Sequence, residues 1–481
     1  MSQRQLVIRR ENEDSESRLS FSMEESLLLL CQQAGISIET PCNGKGICGK
    51  CRVQFLKGAP LPQPAERRSL TPDELRQGIR LACAVKLTGD CEVLLPKEKK
   101  PDAVTGLFEV GWKDLGSDCA ECFLVADIGT TTVVVEKRRK CDGAVIDVYK
   151  GVNAQRAYGA DVLSRMEAVL SGNAQQLSRM IKGQLSEAVQ QLTTSHEKVD
   201  FMVIAANTTM VHLLMEYDVT GLSRAPFKPE TLDEITTEIA GIRTYVMPGI
   251  SAFVGGDIVA GLHAVEFVKG GSIRNLFIDL GTNAELVLYE NDRGICCATA
   301  AGPAFDGDAG TGFFGSDMIA LLAKLMNEGI VDEMGTLDEA HFEKGVAVSQ
   351  QNKTMHISQK QIRNLQLAKA AVRGGIEVLL KKANLCADQI ERVYLAGGFG
   401  YYLDVHAAIK IGLLPKELEN KTISCGNGAL LGAAVYGYKI MTGENRSLPM
   451  SLQAINLAEE ELFAENYVNY MNLTENTDRT P

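Results

Sequence analysis

Two stretches of this chain repeat one pattern, with matching aspartates 152 residues apart. Phe123 to Glu136 reads FLVADIGTTTVVVE, and Leu276 to Glu290 reads LFIDLGTNAELVLYE. Each runs an apolar strand into Asp, one residue, Gly-Thr, a short polar turn and a second apolar strand. A solenoid repeats every few tens of residues, so this spacing predicts a duplicated domain. The chemistry follows from the turn. A β-hairpin of this kind presents backbone amides and hydroxyls that can cradle phosphates. The carboxylate at the strand end, Asp127 or Asp279, can hold Mg²⁺, often through water. One such turn is a weak signal, because it also reads as an ordinary hairpin. Two in matching contexts predict lobes that clamp a nucleotide, with Gly129, Thr130, Thr131 and Thr132 on one side and Gly281, Thr282 and Asn283 on the other.

A third stretch completes the set. Val393 to Asp404, VYLAGGFGYYLD, is an apolar strand running into glycines. Gly397 and Gly398 would let an adenosine lie against the backbone; the plainer reading is a strand-to-helix turn. Met202 to Leu214, MVIAANTTMVHLL, places Asn207, Thr208 and Thr209 between a strand and a helix. Phe253 to Leu262, FVGGDIVAGL, places Asp257 after two glycines, where it is either a catalytic carboxylate facing the cleft or part of a tight turn. Ala301 to Gly307, AGPAFDG, is another cleft loop or a turn. Neither a Walker-type phosphate loop nor a Rossmann glycine fingerprint after a strand is present.

The chain begins differently. Pro41 to Cys51, PCNGKGICGKC, opens the spacing C-x5-C-x2-C-x31-C through Cys42, Cys48, Cys51 and Cys83. Two irons bridged by two sulfides need four thiolates, three from one loop and one from a distant strand. Gly44, Gly46 and Gly49 allow the tight turns and let amides point at the sulfurs. The alternative is zinc, which usually takes paired C-x2-C knuckles; only one such pair exists here. The x5 spacing resembles adrenodoxin and the bacterial [2Fe–2S] ferredoxins. Around it, Gln3 to Arg10 and Leu19 to Met23 predict a hairpin and Glu24 to Ala34 a helix. Thr71-Pro72-Asp73-Glu74 predicts a capped helix start. Cys119 and Cys122 form a lone C-x-x-C, a redox pair, ligands to a second cluster, or unremarkable thiols; Cys31, Cys91, Cys141, Cys296, Cys297, Cys386 and Cys425 read as small core residues.

These features divide the chain into a β-grasp [2Fe–2S] ferredoxin domain over 1–97, a linker over 98–121 containing the only Trp (Trp112), and an ATPase domain over 122–444. The last has lobes at about 122–270 and 271–444. A polar tail with one short helix, Glu459 to Tyr470, fills 445–481. Within the second lobe, Leu365 to Ala383 has helical periodicity, although Gly374 and Gly375 weaken it. The first 97 residues carry 14 basic and 12 acidic residues, leaving −14 for the remainder of a chain whose net charge is −12. That balance argues against a nucleic-acid partner. Met1 to Glu16 is polar and mixed in charge, unlike a signal peptide, and no apolar run approaches a membrane span. The expected location is the cytoplasm, where 13 cysteines are no disulfide framework.

A ferredoxin domain followed by this pair of turns resembles the reductive activators of corrinoid-dependent methyltransferases and corrinoid iron–sulfur proteins. The resemblance rests on GKGICGKC, VADIGTTT, AANTTMVHLL, VGGDIVAGL, DLGTNAEL, GPAFDG, LQLAKAAVRGGIEVLL and YLAGGFGYYLD. It implies an α+β ferredoxin domain joined to an α/β actin-like ATPase domain with two ribonuclease-H-like lobes, as in acetate and sugar kinases. It implies a [2Fe–2S] cluster, ATP and Mg²⁺ as cofactors. The implied activity is one-electron reduction of an inactive Co(II) corrinoid protein to Co(I), helped by ATP, with electrons from an upstream low-potential donor. Folds of this kind often pair as homodimers, although no patch in the sequence marks an interface. Two other readings stay open: an activator of another low-potential enzyme, such as a radical acyl-CoA dehydratase, and a small-molecule kinase with a regulatory cluster.

Overall fold

The computed structural model describes residues 4–11, 16–21, 24–34, 36, 38, 40, 44, 46, 49–96, 112, 121–193, 199–268, 273–281, 283–300, 315–350 and 353–473. Its N-terminal sheet runs, in spatial order, Glu16–Phe21, Arg4–Arg10, Cys91–Leu95, Arg52–Lys57 and Ile79–Leu81. Arg4–Arg10 lies parallel to Cys91–Leu95, and the other pairs are antiparallel. The helix Leu27–Gln33 buries Leu27, Leu28, Leu30 and Cys31 on this sheet. It starts three residues later than the periodicity predicts, because Ser26 caps it and Glu25–Ser26 instead pairs with Lys86–Leu87. Thr71 and Glu74 form the expected reciprocal cap on Pro72–Arg76.

The duplication is plain in the two larger sheets. In the N-lobe the first strand is Cys122–Ile128, followed by Thr132–Arg139, Val145–Val152, Val199–Ala206 and Ile242–Val246. In the C-lobe the series is Arg274–Leu280, Ala284–Glu290, Arg293–Thr299, Arg392–Ala396 and Thr422–Gly426. Both lie in the order third, second, first, fourth, fifth. In both, the first pairs antiparallel with the second and parallel with the fourth. Each lobe adds one edge strand, Ile235–Ile239 in the N-lobe and Ser451–Ala454 in the C-lobe.

Two helices cross between the lobes. Gly256–Val268 follows the N-lobe's last strand, yet Ile258, Leu262 and Val265 share a core with Phe277, Val287 and Tyr289 of the C-lobe. Gly428–Thr442 follows the C-lobe's last strand, yet Leu430, Ala433 and Tyr436 pack with Phe123, Val125 and Val203 of the N-lobe. They touch backbone to backbone: a Cβ on Gly432 would sit 1.6 Å from the Ala260 carbonyl oxygen.

The outer C-lobe helix runs Gln359–Ala383, six residues earlier than its periodicity predicts, from a cap at Ser358. Gly374 and Gly375 lie inside it because of close packing: a Cβ on Gly375 would meet Leu286 at 2.6 Å, and one on Gly374 would meet the Phe463 ring at 3.3 Å. Phe463 belongs to Glu461–Asn469, in the segment read as a tail. That segment is integral to the C-lobe. Ser451–Ala454 pairs parallel with Arg293–Thr299, and Lys369 Nζ donates to the Tyr470 carbonyl at 2.6 Å. Trp112 docks too, stacking with Phe123 and donating from its indole to the Lys140 carbonyl at 3.0 Å. Of the cysteines read as core, Cys386 is exposed, because it caps a surface turn rather than facing the sheet.

Candidate functional site: a cluster loop and an interlobe cleft

The antiparallel register of Arg52 with Leu81 sets Cys51 across from Ala82, whose amide donates to the Cys51 carbonyl at 2.8 Å, and so brings Cys51 beside Cys83. Their Sγ atoms lie 3.2 Å apart. The Cys83 thiol, then the amides of Cys83 and Ala82, draw the Cys51 thiol down to about 7 against the effect of burial. That favours the thiolate, the form that ligates metal. Gly44, Gly46 and Gly49 all adopt left-handed backbone, at φ +73°, +70° and +66°. Side chains at Gly44 and Gly49 would also press on Leu28 and Ser69, at 3.1 and 3.2 Å. Cys42, Cys48 and Cys119 lie outside the described residues; the two sulfurs that are described, and the glycine cradle beside them, suit a [2Fe–2S] cluster.

The second site lies where the lobes meet. Asp127 and Asp279 end the first strands of the two lobes. Asn427, the cap of Gly428–Thr442, donates from Nδ2 to Asp127 Oδ2 at 2.8 Å. Asp257 sits in the first turn of Gly256–Val268 and accepts from the Ile258 amide at 2.9 Å. Glu285, which the sequence reading did not single out although it lies within DLGTNAEL, stands directly across from Asp279 in the antiparallel register. Burial raises all four. Asp127 goes to about 6 despite the Asn427 bond. Asp257 goes to about 7, with Asp127 as the neighbouring charge. Asp279 goes to about 8, with Asp257 and Asp127 adding repulsion. Glu285 is pushed well up, again with help from Asp257 and Asp279. Such a group is stable only if it holds protons or faces positive charge. Among the described residues no three Asp, Glu, His or Cys side chains converge closely enough to enclose a metal ion directly.

The turns differ in their backing. In the N-lobe, the Gly129 amide bonds the Thr132 carbonyl, and the carbonyls of Gly129 and Thr131 accept from Asn153 at 2.8 and 2.9 Å. Arg165 donates to the Thr130 carbonyl, and Asn207 Nδ2 to the Thr130 hydroxyl at 3.2 Å. Asn207 also caps Thr208–Met215. A Cβ on Gly255 would lie 2.6 Å from Asn207 Cα, so the stretches carrying Asn207 and Asp257 abut. In the C-lobe, the Gly281 amide bonds the Asn283 carbonyl. Gly397, at φ +86°, presses on this strand end: a Cβ there would sit 2.4 Å from the Leu280 carbonyl and 2.5 Å from Asp279 Oδ1. Gly398 beside it has nothing within 4 Å of a notional Cβ. Thr282 and Ala301 to Gly307 lie outside the described residues. Asn427, Asn153 and Arg165 also escaped the sequence reading. A strand followed by Asn and a helical run, as at Asn207, is the signal that could have found Asn427.

Comparison with known proteins matches three stretches of the chain. Residues 11–88 match the 2Fe–2S iron–sulfur cluster binding domain. Residues 123–270 match the RACo middle region. Residues 274–312 and 308–481 match the C-terminal domain of RACo, the ASKHA domain. The corrinoid activation enzyme RamQ of Eubacterium limosum is 29% identical over 411 residues, covering 71% of this chain and 68% of that protein. A polypeptide of the Na⁺-translocating NADH-quinone reductase of Idiomarina loihiensis is 36% identical over 87 residues, covering 18% of this chain and 21% of that protein. A solved structure of a reductive activator for corrinoid, iron–sulfur protein superposes at a TM-score of 0.64 and 25% identity, covering 98% of both chains. The chain therefore belongs to the RACo family, with a [2Fe–2S] ferredoxin domain joined to an actin-like ATPase domain.

Proposed function

We propose that this protein is an ATP-dependent one-electron reductive activator that returns a Co(II) corrinoid protein to Co(I). The observation that carries this reading is the pairing, in one chain, of the Cys51–Cys83 thiol pair with a cleft whose matching aspartates, Asp127 and Asp279, face one another across two duplicated lobes. Two similar proteins, a corrinoid activation enzyme and a reductive activator for corrinoid, iron–sulfur protein, support the reading.

The roles divide by place. Cys42, Cys48, Cys51 and Cys83 hold the cluster, which when bound carries one electron at a time. The turns Gly129 to Thr132 and Gly281 to Asn283 cradle phosphate oxygens, with the Gly129 and Gly281 amides already holding the turns closed. Asp127 and Asp279 hold Mg²⁺ through its water shell, as carboxylates at such strand ends often do. Gly397 leaves the C-lobe turn room beside Asp279, and Gly398 admits the adenosine. Asp257, at about 7, is poised to take the proton of an attacking water, because a base works best with its pKa near the operating pH. Co(II) is hard to reduce, and for one electron each 59 mV of mismatch is about tenfold in the equilibrium constant. Nucleotide binding therefore has to bias a two-state element. The crossing helices, in backbone contact at Gly432 and Ala260, are the joint about which the lobes would close.

The test is anaerobic. Reduced protein is mixed with a Co(II) corrinoid protein, and Co(I) is followed by absorbance with and without Mg-ATP. Co(I) appearing only with ATP is the expected result. ATP hydrolysis with a reducible cluster but no Co(I), for every corrinoid protein tried, would redirect the reading to another low-potential acceptor. No helix among the described residues is long and apolar enough to cross a membrane, and we place this reaction in the cytoplasm, with a low-potential protein as the electron source.

A further inference from the structure

One element bonds both the Gly129–Thr132 turn and the ferredoxin domain. The carbonyls of Gly129, Thr130 and Thr131 all accept from the segment between Asn153 and Arg165. Asn153 and Arg165 are both fully buried. Asn153 Oδ1 also takes the Gln155 amide at 2.9 Å and so starts the short 3-10 helix Ala154–Tyr158. That helix cannot drift. Gln155 Nε2 donates to the Leu177 carbonyl at 3.0 Å, and Gln184 Oε1 accepts from the Ala154 amide at 3.0 Å. At its far end, the carbonyl of the fully buried Ala157 accepts from the ferredoxin domain twice, from the Gln32 side-chain amide and from the Thr40 hydroxyl at 3.4 Å. Gln32 lies in the last turn of the helix Leu27–Gln33. Thr40 is buried and stands two residues ahead of Cys42.

We infer that the Asn153–Arg165 segment couples the two sites, with Gln32 and Thr40 as positioning residues that carry the state of the Gly129–Thr132 turn to the cluster loop through the Ala157 carbonyl. The inference rests on the reading that nucleotide phosphates bind at that turn. Phosphates engage the turn's amides on one face, while Asn153 and Arg165 hold its carbonyls on the other. Hydrogen bonds in such a chain polarise one another. A buried group cannot leave its partner without the full cost of an unsatisfied polar atom. A shift of the turn is therefore passed along the 3-10 helix rather than absorbed. Coupling between two sites is reciprocal: if nucleotide changes how the cluster loop is held, cluster oxidation state changes nucleotide affinity by the same factor.

The experiment uses the full-length, cluster-loaded protein with Mg²⁺ and a non-hydrolysable ATP analogue. Analogue affinity is measured on oxidised and on reduced protein, and the cluster midpoint is measured by an EPR-monitored titration with and without analogue. The expected result is an affinity difference of about tenfold, which for one electron is about 59 mV in the midpoint. Replacing Gln32→Ala and Thr40→Val together should bring the difference within twofold, while ATP hydrolysis without partner and the cluster's visible spectrum stay as in wild type. Thr40→Ser, which keeps the hydroxyl, should retain the difference. Equal affinities and an unmoved midpoint in the wild type would overturn the coupling while leaving nucleotide binding intact, and that comparison needs no variant. A double variant that keeps the full difference would overturn the route through Ala157. An analogue that binds neither state would overturn the nucleotide reading, and the coupling with it.

Discussion

The two lobes have one frame and two chemistries. Five strands in the same order carry an aspartate at the end of the first strand in each. On the face that looks across the cleft, Asp127 stands opposite Val134, whereas Asp279 stands opposite Glu285. The N-lobe turn is backed by amide and guanidinium donors, Asn153 and Arg165. The C-lobe turn is backed by close contact, with Gly397 against Leu280 and Asp279. Duplication thus preserved the scaffold while the supports diverged. The N-lobe holds its turn through hydrogen bonds that reach the ferredoxin domain. The C-lobe concentrates negative charge that needs a cation to offset it.

The strongest way to break this comparison is to remove each aspartate in turn. Asp279→Ala should lower ATP-driven reduction by ~10²–10³-fold, the scale of losing one preorganised electrostatic group. Asp127→Ala should also abolish nucleotide-driven activity, and the cluster's visible spectrum should survive both. Cys83→Ser should do the reverse, removing the spectrum. If either aspartate change bleached the cluster, the division of labour between the domains would fail.

The next two variants separate the supports. Gly397→Ala faces a left-handed backbone costing about 1–2 kcal/mol, with overpacking against Leu280 and Asp279 adding about 1–3 kcal/mol. It should lower the thermal midpoint and weaken nucleotide binding together. Gly398→Ala meets open space, so it should leave the midpoint unchanged and weaken only ATP. Asn153→Ala in the N-lobe leaves the Gly129 carbonyl without its buried donor, at about 1–3 kcal/mol. Chemical denaturation should show this loss. A variant as stable as wild type would mean the N-lobe turn does not rely on Asn153.

Much of this was legible in the sequence. The continuous apolar runs around Asp127 and Asp279 marked both first hairpins, and the C-x5-C-x2-C spacing with its glycines marked the iron–sulfur domain that residues 11–88 match. What stayed hidden is what only three dimensions bring together. Glu285 reads as one polar residue in a strand until the register sets it beside Asp279. Asn427 lies 300 positions from the Asp127 carboxylate that it bonds. The segment after Asn445 reads as polar because its apolar residues are scattered among acids and amides, yet Leu457 and Leu473 are buried in the C-lobe core. The exchange of the two crossing helices between lobes leaves no mark in periodicity, since each is apolar on nearly every face.

The smallest effect tests the charge side of the comparison. Burial and mutual repulsion hold Asp257 at about 7 and Asp279 at about 8, against about 6 for Asp127. Between the ordinary carboxylate range and those values, the folded protein keeps protons that the unfolded chain has released, so stability falls as pH rises. His263 works the other way at lower pH. Burial and Lys439 hold it near 3, so stability is lost below about 6.5 as the unfolded histidine takes a proton. With the cluster loaded, so that the Cys51 thiol drawn down to about 7 is held as a ligand and does not titrate, the window from about pH 6.5 to 8 isolates the carboxylates. Within it Asp127 has already ionised, and the remaining titration belongs to Asp257 and the C-lobe acids. The thermal midpoint of nucleotide- and magnesium-free protein should fall by a few degrees across this window, and Mg-ATP should flatten the slope. Asp279→Asn should remove a large share of the slope, whereas Asp127→Asn should leave most of it. Equal effects of the two substitutions would mean that the lobes share the charge evenly, and that Glu285 adds nothing to the C-lobe side.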